Sequence, residues 1–196
     1  VEYHEKGVQL SERHYCDQRV IGRNLQNLGM AYYYLGEISK AEHTIRTAII
    51  HNEAAEDRRE SSDSFQCLGL ILWYEDQLEL AEEFCEKAIK ICREIGYSRG
   101  EANARGNLGL CYLKRGMLDV SYSYIEDAVS ISNRFSNKHA ENRHLTNLGQ
   151  VLQRQGNKEK SLDCLFTALQ IADEIEDLWG KVHSLYQISS LLKDNN

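Results

Sequence analysis

Arginine and asparagine recur four residues apart in this chain, as Arg23 with Asn27 and as Arg143 with Asn147. A third asparagine, Asn107, precedes a Leu-Gly pair just as the other two do. The chemistry open to these residues is recognition. A guanidinium forks a carboxylate through two parallel hydrogen bonds. A carboxamide donates and accepts at once, so it holds an extended peptide backbone without reading its side chains. A spacing of four puts both groups on one helical face. Bond-making chemistry is not expected beside them. The sequence offers no phosphate-cradling glycine loop and no evident nucleophile elbow. His14, His51 and His144 have no obvious partner, and Glu82, Glu83 and Glu86 read as a solvated face. The expectation is a chain that is not an enzyme and takes no cofactor and no metal.

The elements that position these residues follow from a fixed period. Leu28-Gly29, Leu68-Gly69, Leu108-Gly109 and Leu148-Gly149 lie forty residues apart. Twelve after each glycine come Ala41, Ala81, Ser121 and Ser161; sixteen after come Ile45, Cys85, Ile125 and Leu165; nineteen after come Ala48, Ala88, Ala128 and Ala168. Seven after come Gly36, Asp76, Gly116 and Gly156, which suit a tight turn. Such a period means small supersecondary units, each covering its neighbour's apolar face. The apolar spacings of three, four and seven give two helices per repeat, from about Arg19 to Leu35 and from about Ile38 to Ala55 in the first copy. The Leu-Gly glycine costs about 1 kcal/mol inside a helix. Four in register predict a close approach of the second helix, with the small and alanine columns supplying the other half, Ala88 opposite Gly69 among them.

The repeats divide the chain as 18–57, 58–97, 98–137 and 138–177. Residues 1–17 form the second helix of a partial repeat and 178–196 the first helix of another. The chain therefore reads as a single all-α solenoid cut from a longer array. On each first helix, the residues six and two before the glycine, and one and five after it, make a stripe that does not pack. The stripe is Arg23, Asn27, Met30 and Tyr34 in the first repeat, and Leu70 and Tyr74 with Asp63 and Cys67 in the second. It continues as Asn103, Asn107, Leu110 and Lys114, then as Arg143, Asn147, Gln150 and Arg154. His183 and Gln187 fall on it in the incomplete fifth repeat. The first two copies are aromatic, with Tyr33 and Trp73 nearby; the last two are basic. Two roles are open to these residues. They can hold a peptide with an apolar and an acidic part, or they can tie helix to helix and meet solvent.

The Leu-Gly pair, Tyr32 or Tyr112 after it, then glycine, a small residue, an apolar residue and alanine resemble the tetratricopeptide repeat. The resemblance implies helix hairpins stacked in a right-handed superhelical solenoid, with first helices lining a concave groove and second helices on the convex side. The Arg-x-x-x-Asn-Leu-Gly string is similar to the Pins/LGN scaffold family, whose concave faces hold partner peptides. That likeness covers Arg23, Asn27, Arg143 and Asn147, and is broken at Asp63, Cys67 and Asn103. It implies a scaffold that binds a peptide or extended segment. A regulatory or sensor array of a larger signalling protein or signalling ATPase, and an assembly element stacking end to end, are the alternatives. The lysine-asparagine set of carboxylate-clamp co-chaperones is absent: Gln26, Met30, Cys67, Asn103 and Asn107 stand there, so a chaperone C-terminus is not expected. The usual proline near the end of the second helix is replaced by Glu53, Arg93, Asn133 and Asp173, and the chain has no proline. Without that breaker the second helix is expected to run on for another turn or more.

The net charge of −7 is unevenly shared. The first-helix segments sum to +4 and the second-helix segments to −10. Overall acidity argues against nucleic acid, which needs a basic footprint; a mildly basic groove favours a peptide with an acidic segment. No apolar run is long enough to span a membrane. Six scattered cysteines without a Cys-x-x-Cys pair fit buried thiols in a reducing cytoplasm.

Overall fold

In a computed structural model the described residues are 1–13 and 17–193, with side chains described outside 11–13. Among them the chain forms ten α-helices and no strand. These are α1 (Glu2–Arg13), α2 (Gln18–Tyr34), α3 (Ile38–Ala54), α4 (Arg58–Tyr74), α5 (Leu78–Glu94), α6 (Ser98–Lys114), α7 (Leu118–Arg134), α8 (Lys138–Arg154), α9 (Lys158–Glu174) and α10 (Leu178–Lys193). Even-numbered helices are the first helices of the repeats and odd-numbered ones the second. The result is a succession of helix hairpins, a helical-repeat solenoid. The chain forms two compact units, Val1–Gly100 and Glu101–Asn196.

Four of the first helices, α2, α4, α8 and α10, start on short polar side chains. Asp17 accepts from the Arg19 amide, Asp57 from Glu60, Asn137 from Ala140 and Asp177 from Gly180, each satisfying an orphan donor of the first turn. Helix ends repeat one device. At the end of α3, Glu56 takes the left-handed conformation (φ 53°); its amide bonds the Glu53 carbonyl and the Asp57 amide bonds that of Asn52. This pair of bonds is the Schellman motif. It recurs at Gly36, Asp76, Gly96, Gly116, Ser136, Gly156 and Glu176. It also corrects the expectation about the missing proline. The second helices stop at Ala54, Glu94, Arg134 and Glu174, one residue past the place of that proline, because the left-handed residue closes the last turn. Ile95, Phe135 and Ile175 are cap residues, not a further turn.

The Leu-Gly glycines sit where the helices of a hairpin come closest. A Cβ on Gly69 would lie 2.8 Å from Cys85 Sγ and 3.3 Å from the Ala81 carbonyl; one on Gly109 would lie 2.4 Å from Ile125 Cγ1. In unit 2 the small column adds hydrogen bonds: Ser121 Oγ donates to the Gly109 carbonyl at 2.8 Å and Ser161 Oγ to that of Gly149 at 2.7 Å. Ala88 is not the partner of Gly69. In an antiparallel hairpin turning near Asp76, residue 69 meets residues 81 to 85, and Ala88 lies further from the turn. The alanine column is fully buried all the same, at Ala48, Ala88, Ala128 and Ala168. Inside unit 1, Asn52 donates to Ser64 Oγ at 3.0 Å, and Ser64 donates to Gln26 at 2.9 Å, joining successive repeats. Inside unit 2 the matching space is filled by size: the His144 ring occupies the gap left by the missing side chain of Gly106.

Candidate functional site

In unit 1 the stripe of α2 runs from a paired cation to open aromatic rings. Arg23 Nε and Nη2 bond Glu60 Oε1 at 2.9 and 2.5 Å; the Glu60 side chain is largely buried, while Arg23 stays mostly exposed. Asn27 is exposed and Met30 half-buried. At the helix end Tyr34 is 75% exposed. Its ring packs edge-on against Tyr33 at 5.5 Å between centroids, and Tyr33 packs likewise on Tyr74 of α4 at 6.0 Å. Tyr74 is 57% exposed, so two of the three rings present their faces and hydroxyls to solvent. Leu70 is half-buried one turn before it.

Asp63, one repeat after Arg23 on the stripe, is drawn inward. Tyr97 Oη donates to its Oδ2 at 3.2 Å and Gln66 Nε2 to its Oδ1 at 3.2 Å. The Arg59 guanidinium lies over the Tyr97 ring at 4.5 Å. Burial pushes the Asp63 carboxyl up to about 6; Tyr97 opposes this and the Glu60 charge adds to it.

In unit 2 the stripe is partly self-occupied. Arg143 Nη2 donates to Asn103 Oδ1 at 2.6 Å, joining equivalent positions of successive repeats. Arg154 Nη1 donates to the Leu113 carbonyl at 3.1 Å, at the carbonyl-rich end of α6. Asn147 is buried, Leu110 packs against the Leu113–Ile125–Leu148 cluster, and Asn107 and Gln150 are half-buried. Lys114 and Arg154 are exposed. The unit thus brings Asn103 and Arg143 together, and withdraws Asn147 from the surface.

Several residues were not legible from the sequence as partners. Glu60 is one: it lies thirty-seven residues from Arg23, one repeat less a helical turn, so periodicity alone does not pair them. His51 is another, with its Nδ1 2.5 Å from Gln18 Oε1. The expectation of no nucleophile elbow needs one correction of spelling: Gly96-Tyr97-Ser98-Arg99-Gly100 has the pattern Gly-x-Ser-x-Gly. It spans the turn after α5 and the first residues of α6, with a helix before it where the elbow needs a strand. His14 lies outside the described residues. Among the described residues no three of His, Cys, Asp and Glu cluster as metal ligands, and no helix is long and apolar enough to cross a membrane. Cys67, Cys85, Cys92, Cys111 and Cys164 are thiols, none joined in a disulfide; Cys16 lies outside the described residues.

Hairpins of this geometry, with small residues at the crossing and side chains presented from the first helix, define a helical-repeat protein. Tetratricopeptide repeat patterns match residues 60–134, 101–174 and 22–49, more than half of the sequence. The chain belongs to the tetratricopeptide repeat family. Curated protein sequences give no significant match. Solved structures with the same fold include the Rap conjugation gene regulator of plasmid pLS20 in complex with the Phr* peptide, at 21% identity and a TM-score of 0.83, covering 95% of this chain and 52% of that one. Aspartyl phosphate phosphatase F from Bacillus subtilis matches at 14% identity and a TM-score of 0.77, over 90% of this chain and 46% of that one. A STAND signal-transduction ATPase of Pyrococcus horikoshii with a tetratricopeptide repeat sensor matches at 19% and 0.72, over 94% of this chain and 29% of that one. The chain thus spans about half of the Rap regulator and of the phosphatase and less of the ATPase, and the likeness establishes the fold.

Proposed function

We propose that the chain is a non-enzymatic protein-interaction module, and that the first-helix stripes of its units hold a peptide or extended segment of a partner carrying apolar and acidic residues. The observation that carries this reading is the Tyr33–Tyr34–Tyr74 cluster. Two of these rings stay mostly in solvent beyond their edge-on contacts with Tyr33, and exposed aromatic rings are the side chains that anchor partners best. Arg23 and Asn27 beside them, and Arg143, Arg154 and Lys114 in unit 2, offer carboxylates charge-assisted hydrogen bonds. Asn103, Asn107 and Gln150 offer carboxamides for a backbone, and Leu70, Met30 and Leu110 an apolar margin. Asn147, being buried, belongs to the support of the stripe. The complex of a Rap regulator with the Phr* peptide supports peptide binding on this fold. The tetratricopeptide repeat sensor of the STAND ATPase supports the alternative of a sensor array inside a larger signalling protein. The likeness of Arg23-Asn27 and Arg143-Asn147 to Pins/LGN scaffolds is part of the same proposal. So are cytoplasmic residence, for which the buried thiols speak, and independence from nucleic acid and membranes, for which net acidity speaks.

The test is selection of a random twelve-residue peptide library on the chain. Peptides rich in leucine or aromatic residues with aspartate or glutamate are expected, and Tyr34→Ser with Tyr74→Ser should remove their binding without loss of helix content. Enrichment of basic peptides, or retention by the tyrosine variant, would contradict the reading.

A further inference from the structure

A second surface lies on the second-helix side of unit 1. There α3 and α5 flank a groove of about 700 Å³ whose floor is closed by α4. The floor and walls are apolar: Phe65 stacks on Phe84 at 5.8 Å between centroids, and Ile50 and Ile91 line the sides. Ile50 is 65% exposed, an unusual position for a branched apolar side chain on a helix already packed on both neighbours. Four cations stand on the rim, Arg46 from α3, Arg58 from α4, and Lys87 and Lys90 from α5. Two of them lean on the aromatic floor: the Arg46 guanidinium lies 5.8 Å and Lys87 Nζ 4.9 Å from the Phe84 centroid. Against them stand Glu53 and Glu94 in the lining and Glu42 and Glu83 beside it: Glu94 pairs with Arg58, Glu42 with Arg46 at 2.8 Å and Glu83 with Lys87 at 2.6 Å, exposed pairs of the kind that contribute little to the fold.

The repeat supplies its own control. Eighty residues on, the columns of this groove hold Glu126 for Arg46, Ser130 for Ile50, Cys164 for Phe84, Thr167 for Lys87 and Gln170 for Lys90. Of the four cations only Arg58 is matched by a cation, Lys138. Much of the apolar floor persists there, as Val129, Leu145, Leu148 and Ile171 in the places of Ile49, Phe65, Leu68 and Ile91; the Phe84 ring, the exposed Ile50 and the basic rim are what the hairpin fold does not require and what unit 1 adds. The rim cations also run against the acidity of the second helices and of the whole chain.

We propose that this groove is a second docking site, and that its occupant is a short acidic amphipathic helix of a partner protein, with its apolar stripe on Ile50, Phe84 and Ile91 and its carboxylates against the cations of both banks. The cations stand on both sides of the floor, as they must to meet acids flanking a stripe on a helix laid along it. A single anionic head group needs them gathered at one end.

A fluorescein-labelled fourteen-residue peptide of glutamate and leucine, with leucines at helical spacings of three and four, tests this. The probe is compared with the same peptide carrying lysine for glutamate. The glutamate peptide should bind at least tenfold more tightly. Lys87→Glu with Lys90→Glu should weaken it tenfold or more, as should Ile50→Asp, whose position is exposed enough to leave folding intact. Amide exchange should slow along α3 and α5 on binding. Equal binding of the two peptides, unchanged binding by the variants, or slowing along α2 and α4 instead would overturn the proposal. Displacement of the peptide by dodecanoate, indicating a lipid site, would overturn it too, as would a dimer of the chain that Lys87→Glu with Lys90→Glu dissolves. The tyrosine variant of the first-helix face should leave this binding unchanged, so the two surfaces stand or fall separately.

Discussion

His144 and Asp63 are two ionisable side chains that the fold treats in opposite ways. The His144 imidazole is buried against Gly106, and neither ring nitrogen has a hydrogen-bond partner. Burial, with the Arg143 charge adding to it, holds its pKa well below the usual imidazole value. The folded chain therefore stays neutral there while the unfolded chain takes up a proton below about pH 6.5, and stability falls as pH drops through that range. Replacing His144 by leucine removes two unpaired polar atoms at similar volume. Thermal melting should show the variant equal to wild type or more stable by roughly 1–3 kcal/mol, with a shallower decline on the acid side. Asp63 has the reverse sign. Its folded pKa of about 6 lies above that of the unfolded chain, so its ionisation costs stability as pH rises through about 4 to 6. Asp63→Asn keeps an acceptor for Tyr97, and its amide can donate to Gln66 once that carboxamide turns to present its oxygen. It should stabilise the chain by roughly 1–3 kcal/mol at pH 7.5, and the gain should shrink when melting is repeated at pH 4.5. A constant difference between the two pH values would show that the carboxyl is not buried as described.

At the scale of the helix, stability rests on crossings and ends. Ala128 is fully buried in the alanine column, and Ala128→Leu should overpack it at a cost of roughly 1–3 kcal/mol in chemical denaturation. The helix ends give a paired prediction. Glu176 sits at φ 55° and Gly156 at φ 79° in the same capping position of successive helices. Glu176→Gly should gain about 0.5–1 kcal/mol, since glycine takes this conformation without a Cβ clash. Gly156→Val should lose about 1–2 kcal/mol for the converse reason. The sequence made the helices and their packing columns legible, because a forty-residue period repeats each signal four times. Leu28, Leu68, Leu108 and Leu148 are buried as their column required. The stop signals were harder to read. Among the described residues four of the eight left-handed ones are Glu56, Asp76, Ser136 and Glu176, and the two glutamates do not announce a turn. The site was legible only in part. A stripe position fixes which face a side chain starts from, not where a long one ends. Arg143 reaches Asn103 and Arg154 reaches the Leu113 carbonyl, and neither choice is written in the spacing. The groove between α3 and α5 was missed because its residues come from three helices and its cations, Phe84 and Ile50 do not recur in the repeat columns.

At the scale of the whole chain, the charge of −7 should repel acidic partners at long range, while basic residues on the first helices draw them in locally. Binding to the first-helix face is therefore expected to weaken as salt rises, since the cations involved are exposed and screened within about 10 Å at 0.1 M salt. The most direct measurement is affinity of a library-selected acidic peptide for three forms of the chain. Arg143→Glu with Arg154→Glu reverses the stripe of unit 2. Glu159→Lys with Asp163→Lys makes the opposite charge change on α9, a second helix. Charge-assisted contacts contribute about 1.5–3 kcal/mol each. The first variant should thus lose tenfold or more in affinity with its helix content unchanged, while the second binds as wild type or slightly better. Equal affinity of wild type and the Arg143/Arg154 variant would contradict the account of the first-helix face, because the partner would then be held elsewhere.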